Sequence, residues 1–376
     1  IVALENPEER KIHPDVDKYN LIQKTTYFPG IPSNKLYRIL KGFILFLSHF
    51  PKNPLRMLQC LNFFRYGKDA LSLKLLFYNS PVLNKKFDIL HCHFGQNGMI
   101  GACLKKGGAG VRLLTTFHGY DLSEYVHISG PGIYRDLFRV CDRCLPISEH
   151  WKCKLMQMGC QEERITVHHM GIDVNRFEFQ QKKILKGEKI KLLTVGRLVE
   201  KKGHEYSIRA IAKVLHKTKN VEYIIAGNGP LKNKLENLAR QLGIDSQVHF
   251  LGECNQSEVL ELYLQAHIFI LPSITSESGD QEGIPVVLME AQAMGMPVIS
   301  TLHSGIPEGV LDGQSGYLVP EKDVSALSER IGYLISHHRI WTKMGRKGRA
   351  FVEKEFNQHI LNQQLEGIFK NTLRVK

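Results

Sequence analysis

The stretch EGIPVVLMEAQAMGMPVIS, Glu282–Ser300, predicts a loop, a helix and a buried strand in that order. Pro285 suits the start of the helix, where a residue without an N–H group costs nothing. The apolar run after it predicts a helix to about Gly295, and Pro297–Ser300 is apolar enough for a strand covered on both faces. A helix that returns directly to a buried strand is typical of parallel α/β sheets.

The same alternation continues along the chain from residue 87 onward. Short apolar runs predict strands, and amphipathic segments between several of them predict helices. The predicted strands are 88–93, 112–117, 143–147, 165–167, 191–195, 222–226, 248–251, 268–271 and 297–300. The predicted helices include 204–217, 230–242 and 257–266. The sequence therefore predicts an α/β protein with two doubly wound, Rossmann-like domains.

A polar stretch, EFQQKKILKGEK at 178–189, separates the two halves and predicts the interdomain linker. Because 376 residues exceed one ordinary core, two domains are expected. We predict a first domain at 1–177, a second at 190–355, and a C-terminal helix at 356–376 that crosses back to the first domain. Ligands of such folds bind at the carboxyl ends of the strands, in the cleft between the domains.

The chain opens on Ile1–Leu4, which has the composition of a strand already in progress. A βαβ unit would place a first strand, a phosphate loop and a helix before it. We therefore expect the first domain to lack its first strand and glycine loop, and to fold poorly as given. A variant topology is the alternative.

Residues 35–80 mix aromatic and aliphatic side chains with Lys and Arg and contain almost no acids. Basic amphipathic helices of this kind favour an anionic membrane surface or a lipid-linked substrate. Helices packed on the sheet, with basic outer faces, are the alternative. The longest apolar run, Phe43–Leu47, is far too short to span a bilayer. We therefore expect a cytoplasmic protein, peripheral on the inner face of the plasma membrane.

The balance of 50 Lys and Arg against 37 Asp and Glu gives a net charge of +13, which suits an anionic partner. Eight cysteines are scattered along the chain, and Cys141–Cys144 resembles half a zinc site. No second CxxC or HxxxH follows at a finger spacing, so reduced and mostly buried thiols are the better interpretation. We predict no metal site.

Two carboxylates, Glu282 and Glu290, lie on either side of the predicted helix start. The free N–H groups around 283–286 can bind phosphate. A nucleotide diphosphate sugar carries hydroxyls on each side of its diphosphate, ribose on one side and hexose on the other. The two acids can therefore accept hydrogen bonds from both ends of such a ligand. A lone pair of acids at this spacing does not exclude a helix-end acid plus a surface acid.

Glycine loops follow several of the predicted strands. The loop GRLVEKKG, Gly196–Gly203, supplies Arg197 and Lys202, cations suited to neutralise a leaving diphosphate. AGNGP at 226–230 is a strand-to-helix turn, and FLGE at 250–253 follows another strand, where a base could rest. In the first half, His118 follows the strand at 112–117 and faces the predicted cleft.

Taken in order, GRLVEKKG, AGNGP, FLGE, EGIPVVLMEAQAMGMPVIS and SGIPE resemble the retaining glycosyltransferases of family 4, which have the GT-B fold. The resemblance covers residues from about 85 to the end. Within the family, the chain is most similar to bacterial exopolysaccharide enzymes of the colanic-acid type. It implies that 190–355 binds the nucleotide sugar and that the first domain lies on the acceptor side.

The resemblance implies roles for individual residues. Glu290 would bind the ribose hydroxyls and Glu282 the donor sugar, while His118 would contact that sugar and the transition state. The implied catalytic residues are His118, Arg197, Lys202 and Glu282. The implied donor-binding residues are Gly196, Gly227, Asn228, Gly229, Gly252, Glu253, Gly283, Ile284 and Glu290. Retention in this family is ascribed to front-face attack, so no enzyme nucleophile is assigned.

The implied reaction moves a hexose or uronic acid from a UDP-sugar to a growing, lipid-linked surface polysaccharide, without a cofactor or metal. GDP and ADP donors stay open, as does an inactive nucleotide-sugar-binding fragment. A GT-B nucleotide-sugar 2-epimerase is a rival that needs no acceptor. A metal-dependent transferase would use Asp15–Asp17, which has the Asp-x-Asp spacing but lies in a polar segment. The charge prompts a nucleic-acid binder, which no sequence motif supports.

Overall fold

The computed structural model describes residues 1–3, 14–83 and 85–374. Its elements up to the predicted linker are β1 Val2–Ala3, α1 Pro14–Lys18, β2 Thr26–Tyr27, α2 Lys35–His49, α3 Pro54–Cys60, α4 Phe63–Tyr66, α5 Lys68–Leu71, α6 Lys74–Asn79, β3 Ile89–His93, α7 Gly95–Lys106, β4 Arg112–Phe117, α8 Glu124–Ser129, α9 Arg135–Val140, β5 Arg143–Pro146 and α10 Glu149–Gln157. Those after it are β6 Ile190–Val195, α11 His204–Leu215, β7 Val221–Ala226, α12 Lys232–Gln241, β8 Val248–Gly252, α13 Gln256–Gln265, β9 Ile268–Leu271, α14 Val286–Ala293, β10 Val298–Thr301, β11 Gly316–Val319, α15 Val324–Ser336, α16 Trp341–Glu355 and α17 Gln358–Arg374.

The chain divides into two compact units. The first comprises 1–116, 134–144 and 369–376, and the second comprises 117–133 and 145–368. Helix α17 therefore begins in the second unit and ends in the first. The predicted domains 1–177 and 190–355, with a linker between them, stay a prediction.

The second unit contains a six-stranded sheet in the order β11-β10-β9-β6-β7-β8. The strands pair in parallel, with Leu192 opposite Ile268 where β6 meets β9. Every residue of β9 and β10 is buried, because helices cover both faces of the sheet. Apolar, partly β-branched runs fit that position, since side chains pack on each face of the pleat.

The helices of the second unit show the expected amphipathic spacing. In α11, Ile208, Ile211 and Leu215 are buried against the sheet, at the three- and four-residue intervals that form one helix face. Helix α13 begins at a capping box, in which Asn255 and Glu258 each accept a hydrogen bond from the other's backbone N–H. Local sequence thus specifies where these helices begin and which face they bury.

The predicted linker packs along the second unit. Lys182 is 4% exposed, and its Nζ donates to the carbonyls of Tyr263 and Leu264 at 2.6 and 2.9 Å. Burial lowers the pKa of Lys182 to about 8, because the charged amine is removed from water. A segment that is polar in sequence is therefore attached to the end of α13.

The first unit pairs β3 with β4 in parallel, and its sheet has the order β3-β4-β5. A separate apolar cluster surrounds Met57, Leu75 and Leu76 among the helices that precede β3. The buried Arg56 guanidinium is satisfied by Asn79 Oδ1 and by two backbone carbonyls. The cation is therefore held by uncharged acceptors inside this helical layer.

Helix α2 leaves most of its apolar side chains exposed. Within its fully described span, Gly42 is the sole buried residue, while Leu36, Ile39 and Phe43 are 80%, 61% and 59% exposed. Among the described residues, no helix has the length and apolar content needed to cross a membrane. Six of the eight cysteines are buried, which confirms that the thiols are mostly buried.

The structure corrects two details of the predicted elements and contains a strand at the start of the chain, as predicted. The predicted strand at 165–167 is wrong, because Ile165 forms a single bridge and the chain then leaves the sheet. Strand β11 at Gly316–Val319 was not predicted, since its start resembles a glycine turn. At the beginning, Val2–Ala3 is a strand paired with Thr26–Tyr27, and Leu4 lies outside the described residues.

Candidate functional site

The strand order of the second unit reverses between β6 and β9. From β6 the chain moves to β7 and β8 on one side, and β9, β10 and β11 lie on the other. A parallel sheet opens a crevice at such a switch point, outside the carboxyl ends of its two central strands. The loops that reach this point are Gly196–Gly203 after β6 and the segment 272–285 after β9.

These two loops pack directly against each other. Gly203 has φ +67°, and an added Cβ would lie 1.8 Å from the carbonyl oxygen of Pro272. The Ile274 N–H donates to the Lys201 carbonyl at 2.8 Å. Glycine is therefore required at 203 by both its backbone angle and the close approach of the other loop.

Lys202 and Glu282 form an ion pair across the two loops. Lys202 Nζ lies 2.7 Å from Glu282 Oε1, and the side chains are 13% and 9% exposed. Ser273 Oγ donates to the same oxygen at 3.3 Å. Burial alone would raise the pKa of Glu282, but Lys202 and Lys201 outweigh it and lower the pKa below its ordinary value. The carboxylate is thus ionised at neutral pH.

A second ion pair extends this contact. Lys201 Nζ lies 2.8 Å from Asp280 Oδ2, and both side chains are largely buried. The Glu200 carboxylate accepts from the Glu277 N–H at 3.1 Å. Sequence reasoning missed these contacts, since neither Asp280 nor Glu277 lies in a recognisable motif.

His303 and Glu321 support the backbone of Glu282 and were also missed. The Glu282 N–H donates to His303 Nε2 at 3.0 Å, while His303 Nδ1 lies 2.7 Å from Glu321 Oε1. Nε2 must therefore be the unprotonated nitrogen, and Nδ1 carries the hydrogen. Glu321 Oε2 accepts from the Thr275 N–H at 2.8 Å. The only sequence signal was a histidine just after the strand at 297–300.

The loop that follows β4 meets the Glu282 loop. Asp121 Oδ1 accepts from the backbone N–H groups of His118 and Gly119, which shapes the turn. A Cβ on Gly283 would lie 2.9 Å from the His118 carbonyl oxygen and 2.3 Å from Ile147 Cδ1. His118 and Glu282 therefore belong to touching segments of the second unit.

Helix α14 begins immediately after this contact. Pro285 is its N-cap residue rather than its first helical residue, with φ −63° and ψ 120°. The N–H groups of Val286 and Val287 cannot bond within the helix and have no acceptor among the described residues. Ile284 is 5% exposed and packs in the core, so its side chain is not available to a ligand.

Glu290 lies one turn farther along α14. Tyr263, which is fully buried, donates its hydroxyl to Glu290 Oε2 at 2.8 Å. Burial raises the pKa of Glu290, although Tyr263 and Arg176 act in the opposite direction. Tyr263 was missed because a tyrosine in a helix carries no functional signal of its own.

The remaining predicted glycines lie together at the carboxyl ends of β6, β7 and β8. An added Cβ on Gly227 would lie 1.9 Å from the Gly196 carbonyl oxygen, and the Gly227 N–H donates to the Gly252 carbonyl at 2.7 Å. Gly229 touches the Leu198 backbone in the same way. These contacts bring three separate sequence motifs to one edge of the sheet.

Three predicted residues extend outward from this edge. Asn228 and Glu253 are not buried, and the Asn228 Oδ1 accepts from its neighbour's N–H. The Arg197 side chain is exposed, and its guanidinium has no ion-pair partner among the described residues. Its carbonyl bonds to His204 Nε2 at 2.9 Å, and burial lowers the pKa of His204 to about 4. Arg197 is thus a cation still available to a ligand.

A metal site is a separate question. Among residues 1–3, 14–83 and 85–374, no group of three or more His, Cys, Asp or Glu side chains could hold a metal ion. Asp15 and Asp17, the Asp-x-Asp pair, lie in the short helix α1 rather than at a strand end. They are distant in sequence from the loops described above.

Two family descriptions match the chain. Glycosyltransferase Family 4 matches residues 5–176, and Glycosyl transferases group 1 matches residues 175–351. A putative colanic acid biosynthesis glycosyltransferase, WcaL of Salmonella typhimurium, is 36% identical over 98% of this chain and 91% of its own length. The amylovoran biosynthesis glycosyltransferase AmsK of Erwinia amylovora is 36% identical over 95% and 88%.

A solved structure supports the fold. The Anabaena protein HepE, in complex with UDP and glucose, superposes with a TM-score of 0.68 at 18% identity, over 94% of this chain and 89% of its own. The predicted fold class, a parallel-sheet α/β protein with two Rossmann-like domains of the GT-B type, is confirmed. The chain therefore belongs to the glycosyltransferases, with a family 4 first half and a group 1 second half.

Proposed function

We propose that this glycosyltransferase moves a hexose or uronic acid from a UDP-sugar to a growing surface polysaccharide, with retention of anomeric configuration and without a metal. The observation that carries the proposal is the Lys202–Glu282 pair, 2.7 Å apart at the switch point, beside the start of α14. Cations, free N–H groups and a buried carboxylate converge there, which suits an anionic donor that also carries hydroxyls.

Each residue then has a role in donor binding. Glu282 accepts from hydroxyls of the donor sugar, and Glu290 accepts from the ribose. Lys202 and Arg197 neutralise the charge that develops on the leaving diphosphate, and the first N–H groups of α14 bind its oxygens. His118 contacts the donor sugar at the reacting carbon.

The chemistry needs no enzyme nucleophile. The acceptor hydroxyl attacks the anomeric carbon from the face that the diphosphate leaves, and its proton passes to the departing phosphate. Retention follows from attack on that face. The positive groups at the switch point favour the transition state because negative charge accumulates on the leaving group.

The donor and acceptor classes are supported by the similar proteins. HepE holds UDP and glucose, and WcaL and AmsK are named for colanic acid and amylovoran biosynthesis. Exopolysaccharide biosynthesis is therefore the process that we propose for this chain.

Calorimetric titration with UDP, GDP and ADP tests donor recognition. UDP should bind best, and Glu290→Ala should weaken its binding roughly tenfold or more, because a charge-assisted hydrogen bond is lost. Glu261→Ala, an exposed acid on α13, is the matched control and should leave UDP binding unchanged. Equal weakening by both variants would contradict the assigned site.

Product analysis tests the reaction itself. Incubation with donor and a polysaccharide acceptor should give a glycoside with the donor's anomeric configuration, and excess EDTA should not slow its formation. Loss of transfer on chelation would contradict metal independence. Conversion of donor to its 2-epimer without acceptor would favour the rival epimerase.

The features that support a lipid-linked acceptor lie in the first unit. We propose that α2 and the segment up to Lys68 contact an anionic membrane surface in the cytoplasm, where a lipid-linked glycan is available. The span 35–68 contains no Asp or Glu, and Leu36, Leu55 and Phe64 are 80%, 80% and 88% exposed. Exposed apolar side chains among lysines and arginines suit the boundary between headgroups and acyl chains.

Flotation with liposomes tests this surface. Binding should require anionic lipid and fall with salt, and Lys35→Glu with Lys52→Glu should weaken it, at about 1 kcal/mol for each charge removed. Ile39→Asp should weaken liposome binding because it removes an apolar side chain that would be buried among the lipids. Leu185→Asp, at a leucine of the 178–189 segment that is 73% exposed against 61% for Ile39, is the control. Unchanged binding after charge reversal would contradict the membrane proposal.

A further inference from the structure

A cavity of about 570 Å³ lies between helices α8 and α10 of the second unit, outside the site described above. Its volume is in the range of cavities that hold a small ligand. Its walls are formed by residues within 122–131, 150–157 and the loop at 279–281. None of the residues assigned to the donor lines it.

The cavity nevertheless adjoins the donor site along the chain. Gln281, one of its lining residues, immediately precedes Glu282. The Gln281 N–H donates to Ser123 Oγ at 3.2 Å, and that hydroxyl donates to the Gly119 carbonyl at 2.9 Å. Gly119 in turn packs against the backbone of Glu282 and Gly283. The same two loops therefore form a wall of the cavity and hold the proposed donor-sugar carboxylate.

Lys154 supplies the positive charge of the cavity lining. Lys154 and the imidazoles of His127 and His150 line it, and its lining includes no carboxylate. The Lys154 amine has no carboxylate within ion-pair distance in the part of the chain that the structure describes. Nearby, Glu308 is already engaged, because it accepts from the N–H groups of Glu149 and His150. An anionic ligand is thus the natural partner of Lys154.

The other walls suit a sugar ring. The exposed rings of His127, Pro131 and His150 supply apolar surface, and Trp151 packs against His150 with their ring centroids 4.8 Å apart. Trp151 is 1% exposed, and its indole Nε1 has no hydrogen-bond partner among the described residues. Ser123 and Gln281 add hydroxyl and amide groups. Sugars combine apolar C–H faces with hydroxyls, and such mixed walls match both.

We propose that this cavity is the subsite for an acidic sugar of the acceptor glycan, whose carboxylate binds Lys154. The proposal rests on the proposed glycosyltransfer, because it assigns the acceptor of that same reaction. It makes the carboxylate of the glycan a determinant of acceptor selection, and it separates acceptor recognition from the residues that bind the donor.

Two matched probes test the proposal on the full chain. p-Nitrophenyl β-D-glucuronide and p-nitrophenyl β-D-glucoside differ only at the carboxylate, and their affinities are measured by ligand-observed NMR titration. The glucuronide should bind roughly tenfold more tightly, since a charge-assisted hydrogen bond is gained. Lys154→Gln should abolish that preference. Lys152→Gln is the control, because Lys152 is on the same helix but pairs with Glu162 and does not line the cavity.

Several outcomes would overturn the assignment. These are equal affinity for the two probes, no saturable binding of the glucuronide at millimolar concentration, or the same loss in both lysine variants. UDP binding is measured on each sample. Retained UDP binding in Lys154→Gln shows that the variant is folded. UDP binding without glucuronide binding overturns the acceptor subsite alone, whereas absence of UDP binding to the unaltered chain overturns the proposed function.

Discussion

At the scale of single residues, Lys202 and Glu282 determine how charge is arranged at the switch point. Their side chains are 13% and 9% exposed, so water screens the pair weakly. Lys201 is close enough to lower the pKa of Glu282 as well, but it has its own partner in Asp280. The stability of this region therefore depends on keeping a cation near a largely buried carboxylate.

We expect Lys202→Met to cost about 3 kcal/mol in unfolding free energy, because the Glu282 carboxylate is left buried without its nearest cation. The double variant Lys202→Met with Glu282→Gln should recover most of that loss. Denaturant unfolding measures both, and Lys234→Met, at a 70% exposed amine, is the control. Additive losses in the double variant would show that the two residues are energetically independent.

A second prediction concerns the pH dependence of Glu290. Its pKa is raised in the folded state, so folding favours the protonated acid, and the stabilisation is complete below the unfolded pKa. That contribution is lost as the pH rises through the folded pKa. Glu290→Gln keeps an acceptor for Tyr263 but carries no charge.

The substitution Glu290→Gln should therefore raise Tm by about 2 °C at pH 7, and the gain should disappear near pH 4. Thermal unfolding of the variant and of the unaltered protein across this range measures the difference. A gain that grows as the pH falls would mean that the carboxylate is stabilised in the folded protein.

At the scale of elements, the loop between β9 and α14 is held from three directions. The Gly196–Gly203 loop packs against its first residues, the His118 loop against Gly283, and His303 supports the Glu282 backbone. His303 follows β10, so neighbouring strands of one sheet fix the loop. A carboxylate that must meet a sugar benefits from such support, since small displacements weaken catalysis strongly.

His303→Ala should lower kcat for transfer about tenfold to a hundredfold while changing UDP affinity less than about twofold. UDP lacks the sugar that Glu282 is proposed to bind, so its binding reports fold and nucleotide recognition alone. His303→Gln should retain more activity, because its amide oxygen can accept from the Glu282 N–H. Parallel losses in kcat and UDP affinity would indicate general disruption instead of positioning.

At the scale of the whole molecule, the chain contains separate apolar cores. One cluster surrounds Met57 and Leu75 in the first unit, and two larger clusters flank the six-stranded sheet of the second. Separate cores of this size can unfold in separate steps. A ligand that binds one core only should then stabilise one step.

Scanning calorimetry should accordingly show one transition that UDP raises and one that it does not. At a hundredfold excess over Kd, UDP contributes about 2.7 kcal/mol, which is about 5 °C for a domain of this size. Glu290→Ala should abolish most of the shift. A single transition that moves as a whole would show that the two units unfold together.

Much of the fold could be predicted because its signals are local. Runs such as 268–271 are apolar throughout, and Asn255 with Glu258 specifies a helix start within four residues. Strand β11 was missed because its pairing with β10 depends on distant backbone contacts, not on its own composition. The predicted strand at 165–167 was wrong because the apolar run there forms a single bridge at Ile165 instead of a continuous ladder, and composition alone does not show whether a ladder will form.

In the candidate site, too, local signals could be recognised in the sequence and distant contacts could not. Glycines such as Gly203 and Gly227 were recognisable because a turn without a side chain leaves a sequence signal. Lys202 was recognisable as a cation in a glycine loop, but its pairing with Glu282 was not. His303 and Glu321, which support the Glu282 backbone, gave no signal, because sequence spacing carries no information on the strand order that brings them there.

The rate at which Lys182 is chemically labelled can report local opening of the 178–189 segment. The Lys182 amine is 4% exposed and donates to two carbonyls, so an acylating reagent cannot reach it while the segment is packed. Burial is what lowers its pKa to about 8, so the amine regains the reactivity of an ordinary lysine when the segment detaches. Its acylation therefore requires that the segment detach from α13. The rate of labelling at Lys182, compared with that of an exposed lysine, would report how often this stretch opens in the native protein.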